Sequence, residues 1–132
     1  MKKAAIILDE TLPVGLLANA AVCIVTGLFN GEDDVLGPGI EGKGVTFIPI
    51  TKIGIPILKR GHKTFLELFQ RTKDAGVKYM VFTKEGQSTN SYEAYVERVT
   101  GKSIEEVTIV GLGVIGTPEQ VKSVAGDCPL LR

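Results

Sequence analysis

The stretch from Ala4 to Phe29 constrains the fold more than any other. It reads as an apolar run (AAIIL), a short loop (DETLPVG) and a nearly all-apolar segment (LLANAAVCIVTGLF), with Asn19 the only polar side chain between Leu12 and Val25. A short continuous apolar run is the pattern of a central strand covered on both faces. The longer segment, about Val14 to Leu28, reads as a helix that Asn30-Gly31 ends. A helix apolar all round is expected to be buried on all sides, with Asn19 and Cys23 in the interior. The segment Leu12–Phe29 lies at the lower limit of a bilayer span, and Asp9, Glu10 and Pro13 break the apolar run that precedes it, unlike a signal peptide. A core helix of a cytoplasmic protein, with no membrane partner, is the expectation.

The rest of the chain adds strand and helix units to this one. Gly31–Gly44 is a long, acidic, Gly-rich surface loop. Gly44–Ile50 (GVTFIPI) and Ile55–Leu58 (IPIL) read as strands; Pro49 and Pro56 each remove a ladder donor, so at least one of these strands belongs at an edge or bulge. Thr64 and Glu67 have capping-box spacing, and Phe65, Leu68, Phe69 and Thr72 share one helical face before Gly76. Val77–Thr83 is a strand and Lys84–Ser91 a polar turn. Asn90 and Glu93 are placed to cap a helix carrying Tyr92, Tyr95, Val96 and Val99. Glu106–Gly113 reads as a further strand, with Gly111–Gly116 as a tight connection to a helix opened by Thr117, Pro118 and Gln120. The alternation predicts a single α/β domain over residues 1–132, with a mixed sheet of about four to five strands and helices on both faces.

Composition excludes more than it selects. Fifteen basic and fifteen acidic side chains cancel, so no global field attracts nucleic acid or an anionic surface. Two cysteines and one histidine match no metal-ligand spacing, and no metal or cofactor is expected. Gly111-x-Gly113-x-x-Gly116 has the letters of a dinucleotide fingerprint, but Gly111 lies within the strand and the later acidic residue is lacking. His62 stands alone before a helix. Lys59, Arg60 and Lys63 form a small basic cluster at the same place.

The C-terminal segment TIVGLGVIGTPEQVKSVAGDCPLL resembles the end of the type II peptidyl-tRNA hydrolases, and HKTFLELFQRTKDAGVKYMVFT resembles the helix–strand unit before it. The Leu12-Pro13 turn, Asn19, the span Thr83–Tyr95 and Val110–Gly116 are similar still more closely to an uncharacterised bacterial family with that fold, DUF2000. The resemblance implies a peptidyl-tRNA-hydrolase-II-like fold. The residues depart from the hydrolase pattern where chemistry is concerned. Gly15, Leu16 and Leu17 stand where the hydrolases carry a Lys, Ala20–Cys23 where they carry a His, and Lys84–Ser88 in place of an Asp-Ala-Gly-Arg-Thr turn, with only Gly86 matching and Ser88 replacing the Thr. A helix over roughly Ser91–Thr100 would crowd the surface that receives tRNA, so tRNA is not an expected partner.

Candidate ligand-binding residues are therefore Asp9, Glu10, Asn19, Gly86, Ser88, Thr89 and Asn90. If the strands before Asp9 and before Lys84 run parallel, their C-terminal ends share one edge of the sheet, where α/β proteins bind ligands. Asn19 is expected to be buried and satisfied, at the floor of a pocket facing both loops. Asp9 and Glu10 are expected to be solvated or capping. Three readings follow: a domain binding a small polar ligand; a divergent hydrolase of peptidyl-tRNA or another ester or amide, using Ser88 or Thr89 with Asn19; and a non-enzymatic assembly protein. A homodimer is compatible with each.

Overall fold

The structure, a computed structural model, describes residues 1–132. Its strands are β1 (Lys3–Leu8), β2 (Ile40–Glu41), β3 (Thr46–Phe47), β4 (Ile57–Lys59), β5 (Lys78–Thr83) and β6 (Ile109–Gly116). Its helices are α1 (Val14–Leu28), α2 (Phe65–Ala75), α3 (Lys84–Gln87), α4 (Tyr92–Val99) and α5 (Pro118–Ala125). Four strands form one mixed sheet in the order β4-β1-β6-β5. β4 is parallel to β1, and β6 is antiparallel to both β1 and β5. β1, β4 and β5 thus run the same way, and their C-terminal ends share one edge of the sheet.

The alternation of side chains along β1 assigns each residue to one of two cores. Ala5 and Ile7 pack with Leu68, Val121 and Val124 beneath α2 and α5. Ala4, Ile6 and Leu8 pack with Ala20, Ile24 and Leu28 of α1 on the opposite face. Local chemistry sets the ends of the helices. The Thr64 hydroxyl accepts from the Glu67 amide at 3.1 Å, and Gly76 closes α2 at φ 63°, a left-handed conformation suited to glycine. Thr117 and Gln120 form a reciprocal capping box at α5, with Pro118 in the first turn. β4 and β5 are the two edge strands, and Pro56 stands directly before β4 rather than within it. The C-terminal tail covers β4: the Lys59 amide donates to the Pro129 carbonyl and the Leu131 amide to the Ile57 carbonyl, both at 2.9 Å.

Four expectations are corrected. Gly111–Gly116 is not a turn but lies within β6, because α1 approaches β6 so closely that a side chain at Gly111 or Gly113 would collide with Ile24. Of GVTFIPI only Thr46–Phe47 is strand, paired with Ile40–Glu41 in a separate two-stranded hairpin. Helix α1 is not buried on all sides: Val14, Ala18, Val22 and Thr26 face solvent, with Val22 65% exposed, so an apolar outer face remains open. The cap of α4 is Ser91, whose hydroxyl accepts from the Ala94 amide at 3.1 Å, rather than Asn90.

Candidate ligand-binding site

At the shared strand edge, the exits of β1 and β4 meet. Asp9 turns back on its own chain, its Oδ1 accepting from the amide and hydroxyl of Thr11 at 3.0 and 2.7 Å. Arg60 lies beside it, 3.8 Å from Oδ1, with its guanidinium over the Phe65 ring. Glu10 reaches across instead. Its Oε2 accepts from the Gly61 amide at 3.0 Å, while Oε1 is buried and has no protein partner. The expectation of a solvated or capping residue describes Asp9 and is wrong for Glu10, whose carboxylate is fixed by a backbone amide of the neighbouring strand exit.

Glu10 lines a cleft of about 510 Å³ with Lys59, Gly61, His62, Lys63, Asp127 and Pro129, and no hydrophobic side chain lines it. The far wall is braced. Lys63 Nζ donates to the Asp127 carbonyl at 3.0 Å, and Arg71 donates to both carboxylate oxygens of Asp127 at 2.8 and 3.3 Å. The Arg71 hydrogen bonds hold the Asp127 carboxyl below its ordinary pKa, as charge-assisted donors do. Lys59 and His62 make no ion pair, so their donors remain available to a bound molecule. The arrangement combines an acceptor held in place with lysine and imidazole donors in one cleft, and it contains no hydroxyl or thiol nucleophile.

The loop after β5 builds a second cleft, of about 410 Å³, from Gly86, Thr89, Asn90, Ser91, Tyr95 and Cys23 with their apolar neighbours. Thr83 caps α3 by accepting from the Gly86 amide at 3.1 Å, and Gly86 lies flat against the Tyr95 ring. Thr89 donates its hydroxyl to the Gly86 carbonyl at 3.1 Å; Ser88 Oγ accepts from Arg98 Nη1 at 3.1 Å. Asn19 is exposed, not buried, and its Oδ1 accepts from Gln87 Nε2 at 3.2 Å, while the same nitrogen donates to the Leu16 carbonyl at 3.0 Å. It ties α1 to α3 and lines neither cleft. Cys23 is half-buried in the cleft wall rather than enclosed in the core.

The predicted residues therefore separate. Glu10 enters one cleft beside Asp9; Gly86, Thr89 and Asn90 enter the other; Asn19 and Ser88 hold helices together. Gly61, Asp127 and Tyr95 were not anticipated as site residues. Besides Glu10, the basic run Lys59–Lys63 at the end of β4 is the sequence signal that points to the first cleft.

A family model described as a protein of unknown function, DUF2000, matches residues 2–132. The chain belongs to the DUF2000 family. No curated protein matches it. The solved structure of a protein of unknown function from Agrobacterium tumefaciens strain C58 is similar at a TM-score of 0.88 and 16% identity, over 98% of this chain and 96% of that one. At that identity the likeness establishes a shared fold. The mixed four-stranded sheet with helices on both faces is thus an arrangement that this DUF2000 chain has in common with an independently solved structure. No helix is long and apolar enough to cross a membrane.

Proposed function

We propose that this DUF2000 protein is a cytoplasmic domain that binds a small polar ligand in the Glu10 cleft. One observation carries the reading: a buried carboxylate oxygen, Glu10 Oε1, has no protein partner, while its twin is pinned to the Gly61 amide. A buried acceptor without a partner is destabilising, and a turn of the Glu10 side chain toward the cleft would let a ligand donor satisfy it. The position supports the same reading, since the cleft lies outside the C-terminal ends of two parallel strands. Lys59 and His62 in the same cleft favour a ligand carrying both an ammonium or hydroxyl donor and an anionic group, such as a zwitterion of amino-acid size.

The bonds made by Ser88 and Thr89 favour binding over the divergent-hydrolase alternative. Each hydroxyl is engaged with a guanidinium or a carbonyl, and neither has a general base among its partners. The peptidyl-tRNA-hydrolase-II-like descent of the fold rests on the resemblance of the C-terminal half. The exposed apolar face of α1 supports a homodimer.

The test is a thermal-shift screen of amino acids, amino sugars and small hydroxy acids. A ligand present at one hundred times its Kd stabilises the folded state by about 2.7 kcal/mol, which raises Tm by several degrees. Glu10→Gln should abolish the shift while leaving the unliganded Tm close to wild type. No shift with any compound, or an equal shift in Glu10→Gln, would sink the proposal.

A further inference from the structure

The opposite edge of the sheet holds a larger groove, and its chemistry is different. It has a volume of about 540 Å³ and runs between the N-terminal ends of β1 and β4 and one face of α5. Its floor is aliphatic: Ala5, Leu58, Val121 and Ala125, all buried. Pro118, Val121, Lys122 and Ala125 recur at helical spacing along α5, so α5 shows the groove an apolar stripe edged by a lysine. Lys3 reaches it from β1, on the same face as Ala5, and Lys52 reaches it from the segment that leads to β4.

These three lysines make no ion pair and no side-chain hydrogen bond. Lys2, also at the rim, is already committed to Glu32 and Asp34. Asp34 lies near enough for Lys52 to lower its pKa without pairing with it. No Asp, Glu or His lines the groove. In a chain with no net charge, a concave apolar floor ringed by unpaired cations of one sign is a local field that the composition hides.

The occupant can be narrowed by what the groove lacks. It has no aromatic side chain and no arginine, so it offers no stacking surface for a base. It offers no free strand edge to a peptide either, because the tail Pro129–Leu131 already pairs with β4. An aliphatic floor suits an alkyl chain, and three ammonium groups at the rim suit one anionic head. We propose that this groove binds a small amphipathic anion, a carboxylate on an alkyl chain of medium length, independently of the Glu10 cleft. A volume within the ~300–1,000 Å³ range of ligand pockets accommodates such a molecule whole.

The experiment is isothermal titration of the full chain with decanoate, below its micelle concentration, and in parallel with decanol. Decanoate should bind at one site per chain. The exposed triple variant Lys3→Gln, Lys52→Gln, Lys122→Gln should weaken it at least tenfold, with an unchanged circular-dichroism spectrum. Decanol should bind the wild type more weakly than decanoate, and the variant no worse than the wild type. Glu10→Gln should bind decanoate normally, which separates this site from the other. No saturable heat with decanoate, equal affinity in the triple variant, or binding to anionic phosphatidylglycerol vesicles without binding of monomeric decanoate would overturn the proposal; the last would make the lysines a surface patch.

Discussion

Ile24 of α1 occupies the space that a side chain on Gly113 of β6 would fill. A Cβ built on Gly113 would overlap Ile24 Cγ2, and one built on Gly111 would lie 2.6 Å from Ile24 Cδ1. Both glycines are buried in β6, an inner strand of the sheet next to β1. Their conformations are ordinary extended ones, so it is the absence of a side chain, not backbone freedom, that the fold uses. The close approach of α1 to β6 follows.

Gly113→Ala should therefore destabilise the protein by about 1–3 kcal/mol, the usual range for overpacking a well-filled core. Gly15→Ala is the contrast. Nothing lies within 4 Å of a Cβ at Gly15, and alanine is favoured over glycine in a helix by about 0.5–1 kcal/mol. Urea titration of the two variants should move the midpoint in opposite directions, with m unchanged. Equal midpoints would mean that α1 can shift away from β6 at little expense.

A second prediction concerns acid. Glu32, in the loop that follows α1, is gripped by Lys2 before β1 and by Lys78 at the start of β5, with Lys78 at 3.1 Å. Its side chain is only 10% exposed. The Lys2 and Lys78 hydrogen bonds lower its pKa below the ordinary glutamate value of 4.5. A carboxyl with a depressed folded pKa adds stability that is fully present above its unfolded pKa and is lost as pH falls through the folded one. Stability should thus fall below about pH 4.5, and Glu32→Gln should flatten that acid limb while lowering stability at pH 7. An unchanged acid limb in the variant would show that the two lysines do not hold the carboxylate in solution.

The parts of the fold that the sequence made legible are those decided within a few residues. Thr64 with Glu67, Gly76, and Thr117-Pro118-Gln120 each satisfy their own neighbours, so the letters carry the geometry. Gly111–Gly116 misled because glycine has two uses, turning and allowing close approach, and only the partner helix tells them apart. Asn19 misled because a helix with apolar residues on every side reads as buried, whereas the protein leaves its outer face uncovered. Glu10 was legible as a candidate but not in its role. Its partner Gly61 is 51 residues away, and nothing local indicates that the β1 and β4 exits converge.

The two cysteines should differ in reactivity, and the difference reports on the second cleft. Cys128 is buried at 8% exposure, and burial pushes its thiol pKa up, so little thiolate forms and little of it is reachable. Cys23 is half-buried in a cleft wall beside Gly86 and Tyr95. Iodoacetamide at pH 8 should therefore label one cysteine well before the other, and peptide mapping should place that label on Cys23. The loop from Lys84 to Ser91 decides the outcome, because it forms the opposite wall. Gln87→Ala removes the bonds from α3 to the Leu16 carbonyl and to Asn19, which should loosen that wall and speed labelling of Cys23 without affecting Cys128. Labelling of both cysteines at one rate, in wild type and variant alike, would mean that modification proceeds through global unfolding and that the cleft is not open to solvent in the native state.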